Sequence, residues 1–397
     1  MIDPIKSHTQ SKMDSQIFLP QEIMLDIATR LPAKSIGRFR CVSKQWRILL
    51  SQPDFIKTHF NQFKQNPSIA ENNSLIAVSN DSHSLYSINF KINHDHHLFD
   101  EMTVCATQLT FEGNSFSSHT VNIDETASCD GLILFQNNEE KLVLINPTTR
   151  LIQELPTSIY ALDPEISHTL YGLGYDSVTD DYKVVTLSYY DPYYYEDYDD
   201  DDPNCTDVHI TVYSVKNGTW KQAGSSPYDH AVAYPLSGVY VNGCLHWLAN
   251  KSVNEPVIAA FDLHDEKFHE VSPPNWKCSR SFIFNYLIAL GDCLCLYMST
   301  GTSTNIWMMK EYGVQASWSK FNIRDNNESE FRLLCLFKKE QLVLLRDVDD
   351  DLIGNDVVLY DLEEGTFKDF IVHGISNNFC VGGAFLETLV SPYAAGL

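Results

Sequence analysis

The chain has 397 residues and a formal net charge of -24, a length that accommodates a small module plus one large domain with a full core. No apolar run approaches the ~20 residues that a bilayer-spanning helix needs, and the polar start MIDPIKSHTQSKMDSQ lacks an apolar signal core, so the expectation is a cytoplasmic and/or nuclear protein with no membrane partner and with its ten scattered cysteines reduced. Residues 1–65 carry ten Lys/Arg against five Asp/Glu, and the remainder 18 against 47; a remainder so acidic repels phosphate backbones and excludes a nucleic-acid partner.

Residues 1–16 read as a flexible tail and residues 17–62 as a compact set of short amphipathic helices. Pro20 suits a first helical turn, where its missing N–H costs nothing, and Ile23, Ile27 and Leu31 then recur every four residues on one face until Pro32 stops the helix. Ser43 can cap a further helix that has Trp46 on its first turn. Pro53 with Asp54 opens another that presents Phe55, Ile56 and Phe60. So short a segment cannot bury all of Leu19, Pro20, Ile23 and Leu31 internally, which makes it a docking device.

The residues Leu19-Pro20, Ile23, Ile27, Arg30-Leu31-Pro32, Lys34-Ser35-Ile36, Arg38-Phe39-Arg40-Cys41-Val42-Ser43 and Lys44-x-Trp46-Arg47 together resemble the F-box. The resemblance implies docking onto a Skp-type adaptor and through it a cullin-RING ubiquitin ligase, with Leu19, Pro20, Ile23, Ile27, Leu31, Pro32, Ile36, Cys41, Val42 and Trp46 facing the adaptor. Gly37 departs from the family, which usually has an aliphatic residue there; Gly in a helix costs about 1 kcal/mol relative to Ala.

After a linker over 63–72, residues 73–392 lose helical periodicity and become short apolar runs separated by Gly, Asn, Asp and Pro, the pattern of successive β-strands. Strand cores align at Leu132, Val184, Leu245, Leu294 and Leu342, at intervals of 52, 61, 49 and 48 residues, the spacing of propeller blades. A second strand follows each, through Ile145, Tyr213, Phe261, Met309 and Tyr360. A third lies seven residues on at Ile152, Trp220, Phe268 and Phe367, or nine on at Trp318, giving a hairpin within each blade. A large β-sandwich fits the strands but not the interval. The ends left over, Leu85-Tyr86-Ser87-Ile88 as an outer strand and Gly383 to Leu389 as an inner one, would make a sixth blade that closes the ring.

The motifs Asn146-Pro147-Thr148-Thr149-Arg150, Tyr171-Gly172-Leu173-Gly174-Tyr175-Asp176, Asp180-Asp181-Tyr182-Lys183-Val184-Val185 and Ile306-Trp307-Met308-Met309-Lys310-Glu311-Tyr312 resemble the F-box-associated, kelch-like domain of a large plant family, although the diglycines of true kelch repeats are largely missing. The resemblance implies an α+β multidomain chain in which a small N-terminal helical F-box precedes a mostly antiparallel, kelch-like β-propeller of about six blades. It implies the substrate-recognition subunit of an SCF-type (Skp-cullin-F-box) E3 ubiquitin ligase, the propeller selecting a protein target. A propeller module binding proteins outside the ligase is the alternative.

Between Val184 and Leu245 lies YYDPYYYEDYDDDD (189–202), with seven acidic residues, six tyrosines and no base. Such a run self-repels and reads as a surface loop, with Asp197, Asp199, Asp200, Asp201 and Asp202 available to attract a basic substrate segment. His94, His96 and His97 lack accompanying CxxC or HxxxH spacing and read as an exposed loop, so no metal is expected. Cys293 and Cys295 alternate on one strand and suit a blade core. With no nucleophile elbow, no Gly-rich phosphate loop and no cysteine placed to accept a thioester, neither catalysis nor a cofactor is expected.

Overall fold

A computed structural model describes residues 20–65, 73–90, 102–111, 123–137, 139–190, 208–230, 237–252, 255–275, 285–299, 303–325, 329–338, 340–347 and 356–393. The chain divides into two compact units at Phe63/Lys64.

The first unit holds helices α1 (Gln21–Thr29), α2 (Ala33–Arg40), α3 (Lys44–Leu50) and α4 (Pro53–Lys64). Helix α1 ends at Thr29, before Leu31, because Pro32 disfavours a helical residue 31; Leu31 therefore does not share the face of Ile23 and Ile27. Ser43 accepts from the Trp46 N–H at 3.2 Å and caps α3. Ala28, Ala33, Ile36, Leu50, Phe55 and Phe60 are buried. Two buried polar ties fix the helices: Arg40 Nη2 donates to the Leu50 carbonyl at 2.7 Å, and the His59 Nε2–H donates to the Leu31 carbonyl at 2.8 Å. A Cβ at Gly37 would meet nothing within 4 Å, so that residue leaves no packing defect and its cost is confined to the backbone.

The second unit consists of 24 described strands in six antiparallel blades of four. In chain order β1 (Asn73–Ser79), β2 (Ser84–Asn89) and β3 (Met102–Gln108) come first. The first blade is β4 (Ala127–Cys129), β5 (Leu132–Gln136), β6 (Leu142–Asn146) and β7 (Leu151–Glu154); the second is β8 (Ser167–Asp176), β9 (Asp181–Tyr190), β10 (His209–Ser214) and β11 (Thr219–Ser225). The third is β12 (Ser237–Val241), β13 (Cys244–Asn250), β14 (Pro256–Asp262) and β15 (Phe268–Val271), and the fourth β16 (Asn285–Leu290), β17 (Cys293–Ser299), β18 (Thr304–Met309) and β19 (Trp318–Ile323). The fifth is β20 (Glu330–Lys338), β21 (Gln341–Asp347), β22 (Asp356–Asp361) and β23 (Thr366–His373). The closing blade is ordered β24 (Phe379–Leu386), β1, β2, β3.

The five expected hairpin pairs are register partners: Ile145 with Ile152, Tyr213 with Trp220, Phe261 with Phe268, Met309 with Trp318 and Tyr360 with Phe367. The seven-residue offset has one cause. In four blades an identical four-residue turn joins the two members of the hairpin, closed by N–H to carbonyl bonds Arg150 to Asn146, Gly218 to Ser214, Glu266 to Asp262 and Gly365 to Asp361, and its last residue has positive φ. In the fourth blade Lys310 to Ser317 replace it, which makes the offset nine.

Each of these triplets is preceded by an innermost strand: β4, β8, β12, β16 or β20. These strands touch in succession, β4 with β8, β8 with β12, and on through β16, β20 and β24 back to β4, so the ring is closed. The sixth blade forms from both ends, with Leu85 to Ile88 in β2 at the position β10 holds in its blade. The inner strand spans Phe379–Leu386 and not Gly383 to Leu389. Glu387 to Val390 lie beyond it because Asn146, fully buried, binds them: its Nδ2 donates to the carbonyls of Thr388 (3.2 Å) and Val390 (2.7 Å), and its Oδ1 accepts the N–H groups of Thr148 and Thr149. Thr388 Oγ1 also donates to the Asp130 carbonyl at 2.8 Å, and a Cβ at Gly131 would lie 2.3 Å from that same oxygen.

Deleting Asn378 to Leu397 removes β24 and leaves β1 as an open apolar edge; the expected product aggregates and loses cooperative unfolding in a urea titration. Asn146→Ala, which strands several buried backbone groups at once, is expected to lower the unfolding free energy by about 2 kcal/mol in the same assay. A variant of either kind that unfolds like the parent chain refutes closure through this clamp.

Candidate functional site

The helical unit presents apolar side chains to solvent. Ile23 is 47%, Ile27 49%, Val42 67% and Ile48 67% exposed, and exposed apolar groups of this kind mark candidate interaction surfaces. Pro20, Pro32 and Cys41 are exposed as well, while Leu31 and Trp46 are half-buried, Trp46 with its ring 5.8 Å from that of Phe39. Ile36 is a correction. Its side chain is fully buried, because it lies on the inward face of α2 one turn after Ala33, and so it cannot be an exposed contact. Leu19 lies outside the described residues. Ile48, absent from the expected set, adds to the exposed surface; its place on α3 five residues after the Ser43 cap was the available signal.

His59 is buried, and removal from water holds its imidazole below the usual range, against the favourable bond to the Leu31 carbonyl. The bond to the carbonyl places a proton on Nε2. It joins α4 to the turn that carries Leu31 and Pro32, two of the expected contact residues.

In the propeller, the motifs that carry the family resemblance are ties between blades. Lys183 on β9 reaches the third blade, donating to the Leu263 carbonyl at 2.6 Å and pairing with Glu266 at 3.2 Å, while Asp176 at the end of β8 meets the same ammonium at 2.9 Å. Burial works against the Asp176 carboxylate, but the Thr179 hydroxyl, Lys183 and the Val178 N–H outweigh it and hold its pKa well below the carboxylate range. A Cβ at Gly174 would lie 2.5 Å from the Tyr240 ring and 2.6 Å from Leu263, so the glycine is where the third blade comes closest. Tyr312, in the fourth blade, donates to His246 Nε2 of the third blade at 2.7 Å, and His246 Nδ1–H donates to the Val239 carbonyl at 3.0 Å.

The inner strands enclose a central cavity of about 1280 Å³ whose lining mixes Thr126, Tyr240, Tyr286 and Arg332 with aliphatics. Arg332 Nη2 there donates to the Val381 carbonyl at 2.6 Å. Among the described residues no group of three His, Cys, Asp or Glu is placed to hold a metal ion. His94, His96, His97 and the acidic positions Asp197, Asp199, Asp200, Asp201 and Asp202 lie outside the described residues; the strands that bracket the acidic tract, β9 and β10, are described.

A family model for the F-box domain matches residues 18–58, and one for the F-box associated beta propeller domain matches residues 75–377. An F-box/kelch-repeat protein of Arabidopsis thaliana is 29% identical over 388 residues, which cover 97% of this chain and 98% of that protein. F-box protein CPR1 of Arabidopsis thaliana is 30% identical over 369 residues, covering 87% of this chain and 82% of that one. Among solved structures, TolB from Acinetobacter baumannii is similar with a TM-score of 0.46 and 8% identity over 83% of this chain and 69% of that chain. A six-bladed β-propeller lectin from Aleuria aurantia is similar with a TM-score of 0.38 and 9% identity over 84% and 100%.

Burial lowers the pKa of His246 to about 4. The unfolded chain takes up that proton first, near 6.5, so the stabilisation is complete above about 6.5 and is lost as pH falls toward 4. Between pH 7 and pH 5 this group alone is expected to cost on the order of 2 kcal/mol of unfolding free energy. His59 and His230, also held low by burial, act in the same direction. Urea unfolding at both pH values, compared between the parent chain and His246→Asn, isolates the contribution; equal slopes with pH would contradict it.

Proposed function

The chain belongs to the F-box proteins that carry an F-box-associated β-propeller, and from that premise we propose that it is the substrate-recognition subunit of an SCF-type E3 ubiquitin ligase. Residues 17–62 dock a Skp-type adaptor that leads to a cullin-RING ligase, residues 63–72 link, and residues 73–392 select a protein target. The observation that supports this reading is the set of exposed aliphatics Ile23, Ile27, Val42 and Ile48 on a helical unit that matches the F-box. Such side chains gain when a partner removes them from water, at about 25 cal/mol per Å² of apolar surface. Leu19, Pro20, Leu31, Pro32, Cys41 and Trp46 complete the contact, and Ile36 supports it from beneath.

The adaptor role needs no chemistry from this chain. Its own work is recognition at one end and attachment at the other, and transfer of ubiquitin falls to the ligase partners.

Ile23→Ser with Ile27→Ser is expected to weaken capture of a purified Skp-type adaptor at least tenfold, since a few central apolar residues carry most of such an interface. Leu19→Ala with Pro20→Ala should do the same. The parent chain should bring down cullin together with the adaptor; adaptor affinity unchanged by both double variants, with the propeller intact, overturns the docking assignment.

The acidic tract supports a further reading, in which Asp197 and Asp199 to Asp202 draw a basic target segment toward the propeller. Exchanging Asp199 to Asp202 for Asn is then expected to slow association with a basic target at low salt, and the difference should shrink at high salt as screening removes it. Stopped-flow association at two ionic strengths measures this; equal rates at low salt leave the tract as a solvated loop.

A further inference from the structure

Within each blade the strands follow one another as an antiparallel meander, so their connections alternate between the two ends of the blade. At one end most are tight, residues 130–131, 147–150, 177–180, 215–218, 242–243, 291–292 and 362–365, with 90–101 and 310–317 the longer exceptions. At the other several are long, 155–166, 191–208, 226–236 and 272–284, while 80–83, 137–141, 251–255 and 300–303 are short. Long connections on a rigid scaffold are where binding residues concentrate.

One of the long connections is described throughout and carries an unusual surface. In 155–166, Ile159 is 86% exposed, the highest value for a large apolar side chain among the described residues, and Tyr160 beside it is 38% exposed. This is not a loose segment. Trp220 Nε1 donates to the Pro156 carbonyl at 2.6 Å, the Ala161 N–H bonds the Ser158 carbonyl, and Asp163 caps the turn Pro164–Ile166 through the Glu165 N–H, with Ser167 Oγ on the Asp163 carbonyl at 2.6 Å. The connection thus holds two apolar side chains out in water between fixed feet. That arrangement stabilises nothing in the free chain, and a preorganised apolar anchor lowers the ordering cost of association.

In sequence the anchor lies in an acidic stretch, and Lys141 at the foot of the connection is paired with Glu139 at 2.9 Å and Glu154 at 3.0 Å. No Lys or Arg occurs in sequence between Arg150 and Lys183, whereas Asp163 and Glu165 follow the pair and are exposed. At the foot of the connection Ser167 is in register with Tyr190, the last described residue of β9, and Ser188 is in register with His209, the first residue of β10.

We propose that Ile159 and Tyr160 are the apolar anchor of the target-binding surface, and that the segment they take is a Lys/Arg-rich protein segment with an apolar side chain among its bases. Ile159 and Tyr160 bury against that apolar side chain, and Asp163 and Glu165 receive the flanking bases. This deepens the receptor reading above and rests on it for the identity of the partner as a target.

The test uses the full chain and a labelled short peptide of Lys, Arg and Leu, with two matched peptides in which Leu is replaced by Ser or Lys and Arg by Glu, followed by fluorescence anisotropy. The parent chain is expected to bind the first most tightly. Ile159→Ser with Tyr160→Ser should weaken that peptide about fivefold or more, without altering the melting temperature or the affinity for the Ser peptide. Val178→Ser, an exposed residue in the tight turn at the far end of β8, should change nothing. A double variant that binds the Leu peptide as the parent does, or a parent that binds the Glu peptide equally well, overturns the proposal. Adaptor capture by the same preparations separates the two readings: lost discrimination between peptides with adaptor capture intact removes this surface alone, and absent adaptor capture with discrimination intact removes the ligase reading alone.

Discussion

Closure of the ring is the constraint on which the rest of the large unit depends. An open row of antiparallel blades would end in two apolar faces and two unpaired edges, each a template for aggregation. Here β24 from one end of the chain pairs with β1 from the other, and Asn146 then binds the carbonyls of Thr388 and Val390 just past that strand. One buried amide satisfies two carbonyls and two N–H groups, so the junction between the first and closing blades is secured by hydrogen bonds as well as by apolar contact. Leaving any of these groups unpaired out of water would cost more than the net gain of a typical hydrogen bond.

The same device recurs around the ring. Lys183 with Asp176 and Glu266 joins the second blade to the third, and Tyr312 with His246 joins the third to the fourth. Apolar contacts between blades are permissive, since one aliphatic surface slides on another at little cost. Directional bonds from buried groups fix the angle between neighbours, and their expense if broken makes the arrangement unique. The motifs that mark the family are thus explained by architecture.

The helical unit follows the opposite logic. Its inward face is thin, Ala28, Ala33, Ile36, Leu50, Phe55 and Phe60, and hydrogen bonds from Arg40 and His59 to backbone carbonyls supplement it. Its aliphatics are divided between that core and an exposed surface that includes Ile23, Ile27, Val42 and Ile48.

Much of this was legible in the sequence because it depends on local chemistry. The helix caps, the offset between hairpin partners and the blade interval follow from turn residues such as Asn146, Ser214, Asp262 and Asp361 and from the two-residue alternation of strands. The innermost strands were less visible, since β4 is only three residues long and β8 is buried along most of its length, which erases the polar alternation. Whether Ile36 points inward while Ile23 and Ile27 point outward is equally beyond periodicity: all three are aliphatic, and only the packing of α2 against its neighbours decides. The exposure of Ile159 and Tyr160 likewise depends on Trp220, sixty residues away, holding the Pro156 carbonyl. Sequence by itself determined which segments become helix or strand, because backbone preference and side-chain period act within a few residues. Tertiary structure alone decided which apolar groups are core and which are surface, because burial depends on what arrives from distant parts of the chain.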